Sequence, residues 1–397
     1  MNIALYYPWI YLTGGAERVI VELTGRSRHS WTIFTNHYRP DQTFPDFADR
    51  KVVSLEEVSV SRSLAPTTRA ARTIFSQKVD LSSYDALLVV CEGLGDLITF
   101  REPQLPKVCC CLTPLRVVFD REYSTHIASG SSRVKQLAMR WGGNLFRVID
   151  RLAWKKYSKV IFISGEASRR AVAGKLIKQK DVEIVHPGIG FTPELSETRE
   201  SYFLLPGRIM WTKNIELGIK SFLRMREQNS NLRHFRLVIA GSVNNKSGEY
   251  FNYIEKLSAG CDAIEFRLSP SDAELRDLYR RSYSVLFTAF NEDWGIVPIE
   301  GMAFGKPVIS VNRGGPRESI EHGVNGFLEE PEPDAFAQRM AQLAQNPELA
   351  QSIGHAGWKR AHDFTWTNFV DRFDQALAAV NRVKAGAKAS VVEVATR

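Results

Sequence analysis

The stretch Tyr283–Val311, YSVLFTAFNEDWGIVPIEGMAFGKPVISV, decides the fold. It opens on an apolar run rich in β-branched and aromatic residues, which reads as a strand. It turns through Asn291-Glu292-Asp293-Trp294-Gly295 and continues helically as PIEGMAFG. A second apolar strand follows in KPVISV. Uninterrupted apolar strands are buried on both faces, so they belong to a parallel sheet covered by helices. Pro298 suits a first helical turn, where its missing N–H costs nothing, and Gly295 lets the backbone come close to a ligand.

The same alternation continues outward. SYFLLPGR, HFRLVIAGS and AIEFRL read as further strands of this half, with NIELGIKSFLRMREQ and SDAELRDLYRRS as helices. In the first half, NIALYY, WTIFT, ALLVVCE, VCCCL, KVIFIS and VEIVH read as strands, and GGAERVIVELTGR as a helix. A chain of 397 residues exceeds what one core usually organises. Two doubly wound α/β halves are therefore expected, joined near His186-Pro187-Gly188-Ile189-Gly190. The predicted boundaries are a first domain over 1–188 and a second over 189–363. Residues 364–397 are expected to form a helix packing back on the first domain, followed by a frayed tail past Val383.

Composition excludes several classes. With 44% hydrophobic and 24% charged residues the chain is neither disordered nor fibrous. No apolar run is long enough to span a membrane, and MNIALYYPWIYLTGGAERV has no basic leader or cleavage site, so a cytoplasmic location is expected. Cys91, Cys109, Cys110, Cys111 and Cys261 give neither a disulfide framework nor a metal-ligand spacing. The net charge of +8 is lopsided: 27 Lys+Arg face 18 Asp+Glu in residues 1–190, against 25 and 26 in 191–397. Residues 101–180 alone carry 17 basic and 5 acidic side chains. The stretch SSRVKQLAMRWGGNLFRVIDRLAWKKYSK puts Arg133, Arg140, Arg147, Arg151 and Lys155 near one helical face, with Leu137, Trp141, Leu145, Ile149 and Leu152 toward another; Gly142-Gly143 interrupts the pattern. It reads either as an anionic-membrane contact, peripheral on the inner face of a cell membrane, or as a core-packed helix with a solvated basic face.

Glu292 and Glu300 stand eight apart, one in the loop and one in the helix, so the two can reach one ligand from loop and helix. Isolated, such a pair would be two surface glutamates. It continues, however, as Gly301-Met302-Ala303-Phe304-Gly305-Lys306-Pro307, then Arg313-Gly314-Gly315-Pro316 and Gly323-Val324-Asn325-Gly326-Phe327. Arg208 and Lys213, after the strand SYFLLP, offer a guanidinium fork and a mobile ammonium, which together make a diphosphate clamp.

At these residues the chain resembles the family-4 glycosyltransferases, in particular bacterial polysaccharide mannosyltransferase-like members. The resemblance implies a GT-B architecture, two Rossmann-like halves facing a central cleft, and retaining transfer from a nucleoside-diphosphate sugar, GDP- or UDP-linked, to a glycan or lipid-linked acceptor. It implies that Glu292 holds donor-sugar hydroxyls and Glu300 the ribose. Asp293 and the backbone at Gly295, Ile296 and Val297 would meet sugar and phosphate, with Arg208 and Lys213 on the diphosphate. The loop Thr13-Gly14-Gly15-Ala16-Glu17-Arg18 would set Gly15 against donor phosphate and Gly14 against acceptor. Thr113-Pro114-Leu115-Arg116 with Asp120 would lie beside the reaction centre. There the chain departs from its relatives, with Leu112 where many carry His, which implies a drier subsite tolerant of a deoxy position.

No Asp-x-Asp occurs, so neither a catalytic metal nor a cofactor is expected, and Arg208 and Lys213 would take the metal's place. Gly93-Leu94-Gly95-Asp96-Leu97-Ile98 approaches a dinucleotide fingerprint but lacks its third glycine, and reads as a tight strand-to-helix turn. Three other functions share these features: a sugar-nucleotide epimerase on the same scaffold, a non-enzymatic basic protein binding nucleic acid or membrane, and a silent scaffold. No nucleic-acid recognition motif supports nucleic acid as a partner.

Overall fold

A computed structural model describes residues 1–61, 63–101, 105–129, 132–243 and 247–395. The chain forms two compact units, Met1–Pro187 with the C-terminal helix from Trp366, and Gly188–Thr365.

Six strands build the sheet of the first unit: β1 (Asn2–Tyr6), β2 (Ser30–Thr35), β3 (Val52–Ser54), β4 (Ala86–Cys91), β5 (Lys107–Cys111) and β6 (Lys159–Phe162). Every pairing is parallel and the order is β3-β2-β1-β4-β5-β6. The second unit repeats this pattern with β7 (Tyr202–Pro206), β8 (Arg236–Gly241), β9 (Ile264–Leu268), β10 (Ser284–Phe287), β11 (Val308–Val311) and β12 (Phe327–Glu329). Its order is β9-β8-β7-β10-β11-β12, again all parallel. Both are the doubly wound order with one reversal, at β1/β4 and at β7/β10. Loops leaving the carboxyl ends of those strand pairs diverge and leave a crevice for a ligand.

Strands β4, β5, β7, β10 and β11 are buried at every position, as the apolar runs required. Six helices matter here: α1 (Gly15–Arg26), α2 (Arg133–Trp154), α3 (Ile215–Gln228), α4 (Asp272–Arg281), α5 (Ile296–Ala303) and α6 (Trp366–Ala395). The second unit's core joins Phe203, Leu205, Phe222, Leu237 and Ile239 to Phe336 and Met340. In the first unit, α6 is pinned by Asp374, whose carboxylate accepts from the Ser27 hydroxyl at 2.6 Å and the Arg28 amide at 3.0 Å.

Two sequence readings need correction. Gly142-Gly143 does not interrupt α2, which is continuous from Arg133 to Trp154. Two interior glycines cost about 1 kcal/mol each relative to alanine, and packing of Phe146, Ile149 and Trp154 into the first unit outweighs this. The expected fraying past Val383 is not seen either. The alanine-rich segment continues α6 to Ala395, while Thr396 and Arg397 lie outside the described residues.

Lys306, between α5 and β11, is fully buried. Its ammonium donates to the carbonyl oxygens of Ser196, at 3.1 Å, and Thr198. Burial, with the Arg199 charge adding, depresses its pKa to about 7. Between that value and the ordinary Lys value of about 10.4 the unfolded chain holds a proton that the folded chain does not, so stability rises with pH. Urea midpoints from pH 6 to 9 should therefore rise for wild type relative to Lys306→Met, with a slope approaching about 1.4 kcal/mol per pH unit. A pH-independent difference would refute this account of Lys306.

Candidate functional site

The site grows from the β7/β10 switch point. The chain leaving β7 turns at Gly207 (φ +141°), presents the exposed Arg208, and makes a short turn over Trp211–Lys213 before α3. Two hydrogen bonds fasten this turn to the end of β10. The Phe290 amide donates to the Thr212 carbonyl at 2.7 Å, and the Thr288 hydroxyl to the Lys213 carbonyl at 2.8 Å. The fastening brings the Lys213 ammonium to 2.6 Å from a Glu292 carboxylate oxygen, across 79 positions of sequence.

The Glu292 loop is clamped from its other side by Arg313-Gly314-Gly315-Pro316. The Gly315 amide donates to the Glu292 carbonyl at 2.9 Å. A β-carbon on Gly314 (φ +65°) would stand 2.2 Å from that same oxygen, and one on Gly315 2.2 Å from the Trp294 carbonyl. Only glycine fits this approach, and no signal in the motif alone separates a clamp from a ligand loop. Gly295 (φ +79°) then caps α5 without any side chain accepting from the first-turn amides of Ile296 and Val297. Those amides and the helix dipole favour an anion. Asp293 sits half-buried between clamp and cap.

Glu300 lies in the first turns of α5 and accepts from the Tyr279 hydroxyl at 2.7 Å. Tyr279 is buried at the end of α4, and burial, reinforced by the Glu300 charge, pushes its phenol far above the ordinary range. It is therefore a permanent donor, holding one Glu300 oxygen and orienting the other. Sequence reasoning missed Tyr279. A buried tyrosine in a helix carries no signal until its partner is known.

The remaining sequence-predicted residues lie on the first unit, at its own β1/β4 switch point and at the end of β5. Gly14 caps α1 and Gly15 opens it, exposed, with open space around its α-carbon. A β-carbon on Gly14 would stand 2.7 Å from the Glu17 carboxylate, which folds back over the loop. Glu17 is buried, and burial, opposed by backbone amides and assisted by Glu92, raises its pKa to about 7. Tyr7 donates to Glu92 at 2.9 Å. Glu17 and Glu92, to which the sequence reading gave no role, make this crevice acidic. Leu112 is buried, its amide on the Cys91 carbonyl at 3.1 Å. The Thr113 hydroxyl accepts from Arg170 at 2.8 Å, while Arg116 pairs with Asp120 at 3.0 Å. Thr113 and Arg116 are thus members of a local ionic network that includes the buried Arg170, another residue the sequence did not reveal.

Each unit has a switch-point crevice, and residues 190–360, within the second unit, match the family described as Glycosyl transferases group 1. The fold is GT-B, and the second unit carries a group 1 glycosyltransferase domain. The chain is 30% identical over 221 residues to the alpha-1,3/1,6-mannosyltransferase ALG2 of Mus musculus, covering 51% of this chain and 53% of that protein. It spans about half the length of this relative and of its human counterpart. Against ALG2 of Rhizomucor pusillus it is 23% identical over 426 residues, 94% of this chain and 90% of the relative. Among solved structures, Anabaena HepE in complex with UDP is similar with a TM-score of 0.72 at 15% identity, covering 96% of this chain and all of that one, a likeness of fold.

The clamp makes a steric prediction. Gly314→Ala must adopt a left-handed backbone, costing about 1–2 kcal/mol, and must also displace the Glu292 carbonyl. Gly323→Ala has the same backbone requirement (φ +77°) with open space around it. Urea denaturation should show Gly314→Ala clearly the less stable of the two. Equal losses would mean that the loop yields and the clamp is not rigid.

Proposed function

We propose that the chain is a retaining glycosyltransferase that moves a sugar from a GDP- or UDP-linked donor to a lipid-linked or cell-surface glycan acceptor, without a catalytic metal or cofactor. The observation that carries this reading is the Lys213–Glu292 pair, set beside Arg208 and the uncapped α5 N-terminus at the β7/β10 switch point. Cations and helix amides gathered there suit a diphosphate, and the carboxylate suits sugar hydroxyls. The group 1 domain and the ALG2 relatives support it.

In this reading Glu300, oriented by Tyr279, takes the ribose hydroxyls, and Glu292 takes hydroxyls of the transferred sugar. The bond from the anomeric carbon to the diphosphate oxygen breaks as charge accumulates beside Arg208, Lys213 and the α5 amides. The acceptor oxygen bonds to the same face of that carbon, and its proton passes to the departing phosphate oxygen. No side chain is needed as a covalent nucleophile, and the configuration is retained.

Product formation from UDP- and GDP-sugars with lipid-linked acceptors tests the reading. Glu292→Gln should lower turnover at saturating donor by about a hundredfold, the size expected for a donor or acceptor acting mainly on the transition state. Glu300→Gln should mainly weaken nucleotide binding, and transfer should persist in excess chelator. Unchanged turnover in Glu292→Gln would remove the assignment, while dependence on a divalent ion would overturn the metal-free clamp. Donor consumption with no acceptor required would point to the epimerase.

The same proposal extends to a membrane partner. Among the described residues no helix is long and apolar enough to cross a bilayer. α2, however, exposes Leu137, Trp141, Leu145, Val148 and Leu152, with Trp141 76% exposed, flanked by the exposed Arg133, Arg140, Lys155 and Lys156. This corrects the sequence reading in two ways. Ile149 packs on the core and Val148 takes its place, and Arg147 and Arg151 donate to the Val118 and Gly174 carbonyls. Of the basic region 101–180, Glu102–Gln104 and Gly130–Ser131 lie outside the described residues. The protein should sediment with anionic vesicles, less so as salt rises, and poorly with neutral ones. Equal binding to both would show that charge plays no part.

A further inference from the structure

A fully buried group of side chains in the first unit has no part in the proposed transfer. Parallel pairing sets Cys91 beside Cys111 and Val89 beside Cys109. Because side chains alternate along a strand, Cys91, Cys109 and Cys111 share one face of the sheet, where they meet Trp154 and Phe162. The chain leaving β4 reverses at Gly93 (φ +123°) and returns Asp96, 0% exposed, to that face. The Cys91 thiol donates to Asp96 Oδ2 at 2.8 Å and the Trp154 indole to the same oxygen at 3.3 Å, while the Tyr157 hydroxyl donates to Oδ1. The Cys91 sulfur, the Cys109 sulfur and an Asp96 carboxylate oxygen all lie within 4.8 Å of one another.

Asp150, on α2, is also 0% exposed; no protein donor reaches its carboxylate oxygens, and its carboxyl faces that of Asp96. Its charge bears on both Asp96 and Cys91. Two buried carboxyls in contact hold either a shared proton or a cation between them.

We infer that Cys91, Cys109 and Asp96, with the Asp150 carboxyl beside Asp96, form a buried structural site for a zinc-class divalent cation. Two sulfurs and one carboxylate oxygen gathered at one point suit a borderline ion, and sulfur ligation selects against magnesium and calcium. The Trp154 and Tyr157 donors hold Asp96 from behind, as outer partners of metal ligands do. Binding exchanges the cation for the two thiol protons and the proton that Asp96 and Asp150 share, all of which pass to solvent, and leaves the sulfurs as thiolates and the carboxyls ionised. The site ties β4, β5 and α2 together at the root of the loop carrying Leu112–Arg116. Arg208 and Lys213 are on the second unit and outside this site, so the chelator test of transfer is read on protein whose zinc content is shown to be unchanged.

The test uses the full chain, purified under reducing conditions from zinc-supplemented culture, with bound metal measured by elemental analysis. About one zinc per chain is expected, released as a mercurial titrates the thiols. Refolding with Co²⁺ should give sulfur-to-cobalt charge-transfer absorption and the intense visible bands of tetrahedral cobalt. The paired change Cys91→Ser, Cys109→Ser should abolish both signals. Tyr157→Phe keeps every ligand and should weaken zinc by about tenfold or more against a chromophoric chelator. If the paired variant fails to fold, the wild-type cobalt spectrum and Tyr157→Phe decide. Wild-type protein with substoichiometric zinc and no tetrahedral cobalt bands overturns the proposal, as does a Tyr157→Phe protein with unaltered zinc affinity.

Discussion

The hydrogen bond from the Phe290 amide to the Thr212 carbonyl, doubled by Thr288 on Lys213, is the constraint on which the second unit's site depends. A lysine on a surface turn has rotamer freedom worth up to about 2 kcal/mol, and a glutamate in a loop has little less. Their ion pair at part-exposed positions would contribute little if both had to be ordered for it alone. Here the backbone is ordered first. Two main-chain-directed bonds fix the turn on the strand end, and the Gly314–Gly315 clamp fixes the loop from the other side. The pair then forms between groups already in place, which is preorganisation in its plain sense.

The repeated strand order explains where such a site can arise. At a switch point the two central strands send their chains to opposite sides, so no connection crosses the carboxyl ends and amides remain available there. The second unit fills that opening with cations, helix amides and one carboxylate. The first unit fills its own with glycines, the buried Glu17 and the Tyr7–Glu92 pair. One topology thus yields two chemically opposite crevices, because it prescribes position and leaves side-chain chemistry to the loops.

Much of the fold was legible because uninterrupted apolar runs such as ALLVVC and YFLLP have few other uses than buried parallel strands. The site was legible only as residue types. Glu292 and Glu300 stood out, but not the partners that orient them, since Lys213 is 79 positions from Glu292 and Tyr279 is an ordinary buried aromatic until the register of α4 on α5 is known. The choice of Ile149 over Val148 for the exposed stripe was a phase error. At about 100° per residue Val148 falls inside the arc spanned by Leu137, Trp141, Leu145 and Leu152, and Ile149 roughly 40° beyond it. Cys91 and Cys109 showed no metal-ligand spacing because spacing rules assume ligands on neighbouring turns, whereas parallel pairing brings together residues from different strands.

The ion pair also bears on how an anion would enter. An ammonium has three donors and Glu292 engages one of them, so a diphosphate oxygen reaching Lys213 need not break the pair. A guanidinium in the same place would be held as a planar fork by its carboxylate and would have less room to share. Lysine in the clamped turn and arginine on the exposed one divide the work accordingly. In the proposed transfer, Lys213 couples the diphosphate to the carboxylate that meets the sugar, and Arg208 is left to take the phosphate with both arms. Leaving-group charge and sugar contact are then sensed by neighbouring ends of one electrostatic unit, whose geometry is set by backbone hydrogen bonds.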